Sequence, residues 1–379
     1  MKVTLFTREY PPFVYGGAGI HVKFLSKELQ KLMEVDVRSF GDQDVTEKNL
    51  RARGYAPWDK LKDRQKYSAV LETLSVNLLS VNDDFDSNVV HSHTWYGHFA
   101  GLLAKILHQV PFVATCHSLE PLRPWKSDQL SRGGYQLSSW AEKIAIEGAD
   151  KIIAVSKDMK ADILKYFNVP EDRVVVIHNG IDLDLWKKTP LSAGVKKKYG
   201  IQDDYILYLG RTTQQKGIEY LIEAADQIPC QIVLCASGAD TKEYEQLMTQ
   251  KASTKKNILW IHEMVKEEDC IQIFSGARVF VCPSIYEPFG ITNLEAMACQ
   301  TPVVASAVGG ILEVVVPGET GLLVKPGEPK EIAAAVNRLL QDPQTAVQYG
   351  KNGRKRVEQH FSWTSIAEKT RDLYQSLLH

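Results

Sequence analysis

Residues Ser284–Gln300, SIYEPFGITNLEAMACQ, determine how the second half of the chain is interpreted. They follow an apolar run, Val279–Cys282, and lead into a helical pattern that begins near Ile291. The connecting loop contains Pro288 and Gly290, so the local prediction is a strand, a loop and a helix. The start of a helix offers free backbone N–H groups and the positive end of a dipole, and both favour an anionic ligand.

The same stretch contains two carboxylates, Glu287 in the loop and Glu295 in the first turns of the helix. Carboxylates beside an anion site repel the ligand unless they bind its hydroxyl groups instead. A phosphate with a sugar attached on each side needs both kinds of partner. The stretch therefore indicates a ligand in which phosphate and sugars occur together.

Composition and charge narrow the class of protein. A chain of 379 residues predicts two domains, and its 44% hydrophobic and 24% charged residues are typical of a soluble protein. The formal net charge of −1 disfavours nucleic acid as a partner. The sequence has no apolar run of membrane-spanning length and no signal peptide at its N-terminus, so we expect no membrane partner. The scattered cysteines form no C-x-x-C motif and are expected to be buried thiols in the reducing cytoplasm.

Short β-rich runs alternate with helical patterns along the chain, which predicts parallel sheets covered by helices. The predicted strands are Val3–Thr7, Val35–Phe40, Val89–Ser92, Phe112–Cys116, Lys151–Val155, Val174–Ile177, Tyr205–Leu209, Gln231–Cys235, Ile258–Ile261, Val279–Cys282, Pro302–Ala305 and Leu322–Val324. Turn residues in Gly180–Pro190 interrupt the pattern. The fold class is therefore α/β, with two Rossmann-like doubly wound domains over 1–185 and 186–360 and a last helix over 361–379. Ligands bind at the carboxyl ends of such strands, so we expect the domains to face an interdomain cleft.

In the first domain, glycines and histidines follow the predicted strands. Gly16 and Gly17 open a helix, either to bring backbone N–H groups close to a phosphate or sugar or simply as a tight turn. The next loop, HSHTWYGH, clusters histidines, but a metal is disfavoured because neither carboxylate nor cysteine ligands are near. A sugar site with Trp95 or Tyr96 as an apolar platform is favoured instead.

The loop HSLEPLRPWK begins with His117, which is either a site residue or a structural histidine. Arg123, Lys126 and Arg132 are candidates for an acceptor phosphate. Tyr135 and Trp140 would extend the same wall, unless Trp140 is a core residue.

In the second domain, Arg211 ends a strand and Lys216 precedes a helix. Cations are unfavourable at a helix start unless an anion offsets them, so this pair favours a diphosphate clamp over random surface charge. Asp182 and Asp184 have a metal-binding spacing, but their place at the domain junction favours turn chemistry. We therefore predict no metal and no cofactor.

Taken together, these motifs resemble the retaining GT-B glycosyltransferases of the glycogen-synthase-like group over essentially the whole chain. The strongest markers are EPFGITNLEAMACQTPVVAS, with Glu287 and Glu295, and GRTTQQKG, with Arg211 and Lys216. The stretches TREYPPFVYGGAGIHV, HSHTWYGH, HSLEPLRPWK and SSWAEK are similar to bacterial glycogen synthases and α-maltose-1-phosphate synthases, which use ADP-glucose.

The resemblance implies a role for individual residues. Glu287 would contact the transferred glucose, Glu295 the ribose hydroxyls, and His117 the donor sugar at the reaction centre. The implied catalytic residues are Glu287, His117, Arg211 and Lys216. The implied donor-binding residues are Gly16, Gly17, Arg211, Lys216, His262, Met264, Glu287, Gly290, Ile291, Thr292, Asn293 and Glu295. The implied acceptor-binding residues are His93, Trp95, Tyr96, Arg123, Trp125, Lys126, Tyr135 and Trp140.

The implied activity is that of a retaining hexosyltransferase of glycogen or maltose-1-phosphate synthesis. Glucose would pass from ADP-glucose to the non-reducing end of an α-glucan or to glucose 1-phosphate, forming an α-1,4 bond. Retention would follow front-face attack, which we favour, or a covalent intermediate on Glu287. Thr94 replaces the aspartate of the family's HxHDW-like loop and GGAG replaces a Gly-Gly-Leu-type loop, so the acceptor stays open.

Two other hypotheses remain. One is transfer from a UDP- or GDP-sugar to a small-molecule or lipid acceptor. The other is a non-catalytic protein that binds a sugar nucleotide or a glucan. The sequence leaves open whether the chain forms a homo-oligomer.

Overall fold

The computed structural model describes residues 1–62 and 65–378. They form two compact units: unit 1 is Met1–Asn179 with Trp363–His379, and unit 2 is Gly180–Ser362. The predicted limits lay at 185 and 360. The residues just after Asn179 lie with unit 2 because the Ile181 N–H donates to the Phe361 carbonyl at 2.9 Å.

The described strands are β1 (Lys2–Phe6), β2 (Glu34–Phe40), β3 (Asp44–Glu47), β4 (Leu50–Tyr55), β5 (Val89–His93), β6 (Phe112–Cys116), β7 (Lys151–Ala154), β8 (Val174–Val176), β9 (Tyr205–Arg211), β10 (Gln231–Ser237), β11 (Ile258–Ile261), β12 (Val279–Cys282), β13 (Val303–Ser306) and β14 (Gly321–Val324). Unit 1 has the order β3-β4-β2-β1-β5-β6-β7-β8 and unit 2 the order β11-β10-β9-β12-β13-β14. Only the β3–β4 pair is antiparallel among these described strands.

The described helices are α1 (Gly17–Leu29), α2 (Ser68–Val81), α3 (Thr94–His108), α4 (Lys126–Gly148), α5 (Lys157–Tyr166), α6 (Ala193–Tyr199), α7 (Ile218–Ala224), α8 (Lys242–Ser253), α9 (Glu267–Gly276), α10 (Ile291–Ala298), α11 (Ile311–Val314), α12 (Pro329–Gln341), α13 (Pro343–His360) and α14 (Trp363–Gln375). Within 1–62 and 65–378, no helix is both long and apolar enough to cross a membrane.

Burial explains the parallel sheets. Every residue of β5 and β6 is buried, and so is every residue of β12 and β13. Strands that are buried along their whole length need helices on both faces. The prediction of two Rossmann-like α/β units is therefore confirmed. The β3–β4 pair, α2, α6 and α11 were not predicted from the sequence.

The last helix, α14, belongs to unit 1 and packs on α1. Its buried side chains include Trp363, whose ring stacks on Phe24 with centroids 6.0 Å apart. The Tyr374 hydroxyl reaches the His91 ring nitrogen Nδ1 at 2.5 Å. The helix thus closes one face of the unit 1 sheet.

Candidate active site

In unit 2, the loops after β9 and β12 are joined. The Ile285 N–H donates to the Gln215 carbonyl at 3.0 Å. Gly217 has φ +62, and a Cβ there would meet the Pro283 carbonyl oxygen at 2.1 Å. Only glycine fits this left-handed conformation and this close approach together. The two loops are adjacent because β9 and β12 are neighbours in the sheet.

The joined loops carry an ion pair between Lys216 and Glu287. The Lys216 Nζ lies 2.6 Å from Glu287 Oε2, and the Ser284 hydroxyl donates to the same oxygen at 3.1 Å. The Glu287 carbonyl in turn accepts the Gly310 N–H at 3.0 Å. Burial is the largest influence on the pKa of Lys216 and lowers it, but the charge of Glu287, the nearby Cys282 and the hydrogen bond to Glu287 together outweigh burial, so the net shift is upward. The Glu287 side chain is therefore held by Lys216 and Ser284, and its backbone carbonyl by Gly310.

Arg211 lies at the end of β9 and is exposed. Its Nε donates to the Gly238 carbonyl at 3.2 Å, and its Nη2 lies 3.5 Å from an Asp240 carboxylate oxygen. The charge of Arg211 also lowers the pKa of Lys216, as expected for two cations that repel each other. An anion between the two cations would relieve this repulsion.

Helix α10 starts immediately after this ion pair. Gly290 precedes it with φ +93, and the Asn293 N–H donates back to the Gly290 carbonyl at 3.0 Å. The first N–H groups of a helix have no acceptor within the helix, so they point towards a ligand position near Ile291 and Thr292. Burial, with a smaller contribution from the charge of Glu267, raises the pKa of Glu295 to about 8.

The predicted base-binding residues follow β11. His262 is exposed and stacks on the Trp260 ring with centroids 4.8 Å apart and 5° between the planes. Met264 is 68% exposed, which is rare for a large apolar side chain and suits contact with a planar ligand.

Unit 1 contains a cluster of histidine rings near the carboxyl ends of β5 and β6. The His93 Nδ1 lies 3.2 Å from the His117 Nε2, and the His21 ring is 4.6 Å from the His117 ring. Asn179 Oδ1 hydrogen-bonds to the His21 Nδ1 at 2.6 Å. Burial lowers the pKa of His21 to about 4 and lowers that of His93 and of His117 well below the ordinary value. These imidazoles are therefore neutral at pH 7.

Three of these residues, His21, His93 and His117, have ring nitrogens within 4.8 Å of one another. Among the residues that the structure describes, this is the one group with the spacing of metal ligands. One nitrogen each of His93 and His117 is already used in their mutual hydrogen bond. His117 is the partly exposed member of the three and is the one that a sugar could contact.

The predicted glycine loop is organised by a carboxylate. Glu9 Oε2 accepts the N–H of Gly16 at 2.7 Å and that of Tyr15 at 3.0 Å. Helix α1 then begins at Gly17. In this arrangement the Gly16 amide serves the loop itself.

The predicted acceptor residues differ in burial. Trp95 and Lys126 are buried, and the Lys126 Nζ pairs with Glu120 Oε1 at 2.6 Å. The Tyr135 hydroxyl donates to the Glu120 carbonyl at 2.7 Å. By contrast, Trp140 is 51% exposed and packs beside Phe99, so it is not a core residue. Arg132 is exposed on α4.

Comparisons with known proteins identify the family. The model of the family "Glycosyl transferases group 1" matches residues 195–356, and that of "Glycosyltransferase Family 4" matches residues 15–185. The alpha-maltose-1-phosphate synthase of Mycolicibacterium smegmatis is 45% identical over 398 residues, covering 100% of both chains. The chain belongs to the group 1 GT-B glycosyltransferases.

This glycosyltransferase also has more distant relatives. The glycogen synthase of Mycobacterium tuberculosis is 28% identical, covering 99% of this chain and 94% of that protein. Among solved structures, sucrose-phosphate synthase from Thermosynechococcus elongatus superposes with a TM-score of 0.80 at 28% identity, covering 99% of this chain and 98% of the other. The suspected family is thus confirmed, and the chain is a glycosyltransferase with glycogen-related relatives.

Two residues of this glycosyltransferase escaped the sequence analysis. His21 lies inside α1, whereas the histidines predicted as site residues lie in loops after strands. Arg8 lies between β1 and the glycine loop, and its guanidinium carbon is 4.1 Å from the centroid of the Tyr96 ring. The position of Arg8 at the carboxyl end of a central strand was the signal that could have identified it.

Proposed function

We propose that this glycosyltransferase transfers glucose from ADP-glucose to a sugar phosphate, glucose 1-phosphate, with retention and formation of an α-1,4 bond. The observation that carries the proposal is the Lys216–Glu287 ion pair at 2.6 Å, on two joined loops beside Arg211. The acceptor is supported by the 45% full-length identity to proteins named alpha-maltose-1-phosphate synthase.

In this proposal unit 2 binds the donor. Lys216 and Arg211 neutralise the diphosphate, and the amides of Ile291 and Thr292 at the start of α10 add the positive end of the helix dipole. Glu295 accepts hydrogen bonds from the ribose hydroxyls. His262 and Met264 flank the adenine. The roles of Gly17 and His117 stay predictions from the resemblance.

The reaction breaks the bond between the anomeric carbon and the diphosphate oxygen. Negative charge then develops on the leaving diphosphate, where Lys216 and Arg211 stabilise it; such electrostatic stabilisation is usually the largest catalytic contribution. The acceptor hydroxyl attacks the same face of the sugar and passes its proton to the departing phosphate. Glu287 already pairs with Lys216 and accepts a hydrogen bond from Ser284. These contacts favour a role in orienting the glucose over a role as nucleophile.

Purified protein is incubated with ADP-glucose or UDP-glucose and with glucose 1-phosphate, glycogen or no acceptor. We expect release of ADP that requires glucose 1-phosphate. The variant Lys216→Ala is compared with Lys330→Ala, in which an exposed lysine of α12 is lost. The comparison distinguishes the effect of removing the site lysine from the effect of removing any lysine. Faster turnover with UDP-glucose or with glycogen would refute the donor or the acceptor assignment. Tight binding of ADP-glucose without turnover would indicate a non-catalytic binding protein.

A further inference from the structure

Three adjacent strands of unit 1 place a group of charged and aromatic side chains together. Arg8 follows β1, Tyr96 lies in the first turn of α3 just after β5, and Arg123 lies in the loop after β6. The sheet order β1-β5-β6 makes these three carboxyl ends neighbours. Ligands bind at this edge of a parallel α/β sheet.

Arg8 packs against aromatic rings. Its guanidinium carbon lies 4.1 Å from the centroid of Tyr96 and 5.5 Å from that of Tyr15. None of the ion pairs within residues 1–62 and 65–378 involves Arg8, although Glu9 is close enough for its charge to raise the pKa of Arg8. The nearby acid, Glu9, is directed at the amides of Tyr15 and Gly16. Stacking and a hydrogen bond with the Tyr96 hydroxyl fix the plane of the guanidinium, and the remaining N–H donors can bind an anion.

Lys126 is a second cation near Tyr96, with its Nζ 5.3 Å from the centroid of the ring, but a carboxylate already neutralises its charge. Its Nζ pairs with Glu120 Oε1 at 2.6 Å, and the other Glu120 oxygen accepts the Ser138 hydroxyl at 2.7 Å. Burial, and then the charge of Glu120, raises the pKa of the adjacent Glu142 well above the ordinary value. Burial therefore disfavours a negative charge on Glu142. The Lys126–Glu120 pair is accordingly a neutral platform beneath Tyr96.

Arg123 is the third cation. Its Nη1 reaches only the Ser118 hydroxyl, at 3.5 Å, and its Nε is buried without an acceptor among the described residues. The Trp95 and Trp125 indole nitrogens are likewise buried donors with no acceptor in the described parts of the chain. Buried polar groups are nearly always paired in native structures. Donors that lack acceptors at one sheet edge point to a ligand that consists of acceptors.

The Tyr96 phenol reports the sign of the local potential. Burial alone raises its pKa, yet the charges of Lys126, Arg8 and Arg123 outweigh burial and the opposing charge of Glu120. The net pKa lies below the ordinary value. The three cations around Tyr96 therefore affect it more strongly than Glu120 does.

We propose that Arg8 and Arg123 bind the phosphate group of the acceptor and so select a sugar phosphate over a neutral sugar. The inference rests on the proposed function for the identity of the sugar. A phosphate is an acceptor-only dianion, and it suits two arginine forks and unpaired N–H donors.

The test measures binding separately from turnover. Titration of glucose 1-phosphate into the wild-type protein, Arg8→Gln, Arg123→Gln and Arg173→Gln is followed by calorimetry, with glucose as the ligand that lacks phosphate. Arg173 is the matched control, because it is exposed and precedes β8 at the opposite end of a strand. Steady-state rates with ADP-glucose are measured on the same proteins.

We expect each of Arg8→Gln and Arg123→Gln to weaken glucose 1-phosphate binding at least about tenfold, because each loses charge-assisted hydrogen bonds. KM for the acceptor rises equally, and KM for ADP-glucose changes less than about twofold. Arg8→Lys retains part of the affinity, and Arg173→Gln behaves as wild type. A purely structural role for Arg8 would lower the melting temperature without this selective change in acceptor KM.

The outcomes separate the two proposals. Wild-type affinity for glucose 1-phosphate in both glutamine variants overturns the phosphate site, even if the wild-type enzyme transfers glucose. A second outcome is that the wild-type protein binds glucose 1-phosphate but transfers nothing to it, and that the variants lose this binding. This outcome supports the phosphate site and overturns the proposed function. A wild-type protein that does not bind glucose 1-phosphate overturns the phosphate site.

Discussion

The substitution Gly217→Ala tests whether the joined loops of unit 2 hold the reactive groups in place. A Cβ at Gly217 would lie 2.1 Å from the Pro283 carbonyl oxygen, whereas an ordinary contact begins at 3.4 Å. The loop that carries Lys216 must therefore move by about 1.3 Å relative to the loop that carries Glu287. The backbone at φ +62 adds a cost of about 1 kcal/mol for any residue with a Cβ.

Two magnitudes follow. Overpacking costs about 1–3 kcal/mol, so the free energy of unfolding falls by about 2–4 kcal/mol in total. A displacement of about 1 Å in a catalytic group costs roughly 100-fold in rate. Thermal unfolding and release of ADP from ADP-glucose measure the two effects on the same preparation.

Gly318→Ala is the matched control. Gly318 also lies in unit 2 and has φ +80, but a Cβ there meets nothing within 4 Å. It should lose only about 1 kcal/mol of stability and keep the wild-type rate. The reasoning is refuted if Gly217→Ala retains a rate within about threefold of wild type, because loop position would then not control turnover.

Three further predictions concern the same unit. Lys216→Ala and Glu287→Gln should each lower kcat more than about tenfold. The double variant Lys216→Met with Glu287→Gln should melt at a higher temperature than Lys216→Ala alone, because it leaves no unpaired charge. Equal melting temperatures would contradict this. The pKa of Glu295 is about 8, so the carboxylate that accepts hydrogen bonds from the ribose hydroxyls forms as pH rises from 7 to 8, and the Kd of ADP should fall over this range. This pH dependence should vanish in Glu295→Gln. Its persistence in that variant would show that Glu295 does not bind the ribose. Excess EDTA should leave the rate unchanged, since Arg211 and Lys216 neutralise the diphosphate, and a loss restored by Mg²⁺ would refute this.

The parts of the fold that sequence predicted well are buried and apolar. The bounds of β6 and β12 agree with the predicted strands, because apolar runs bounded by turn residues define strands buried on both faces. The bounds of β11 agree as well, although it is an edge strand in which only Ile261 is buried. Strand β9 runs on to Arg211 because Gly210 and Arg211 pair with Ala236 and Ser237 of β10. Side-chain patterns do not report such backbone pairing.

The elements that were not predicted lack a clear apolar pattern in the sequence. Every residue of β3 is exposed, so its sequence DVTE has no apolar alternation and its pairing with β4 depends on backbone hydrogen bonds. Helix α2 places serine, threonine and asparagine among its buried residues, which weakens the apolar stripe that marks a helix. Helix α6 spans seven residues, three of them lysines, and is too short to show a clear period.

For the site, the sequence named Lys216 and Glu287 separately. Their ion pair joins residues 71 positions apart, and it exists because β9 and β12 are neighbours in the sheet. The sequence order of the strands does not reveal this adjacency. A carboxylate can lie beside the predicted anion site because Lys216, from the neighbouring loop, pairs with Glu287. Arg8 was missed for the same reason, since its partner Tyr96 lies on α3, after β5.

The structure of the reaction product shows directly whether the enzyme transfers glucose to a sugar phosphate with retention. After incubation with ADP-glucose and glucose 1-phosphate, the reaction mixture is analysed by ¹H and ³¹P NMR. We predict a disaccharide phosphate with a new α-1,4 linkage, formed in step with ADP. Formation of free glucose and ADP alone, or a β linkage, would contradict retaining transfer to a sugar phosphate.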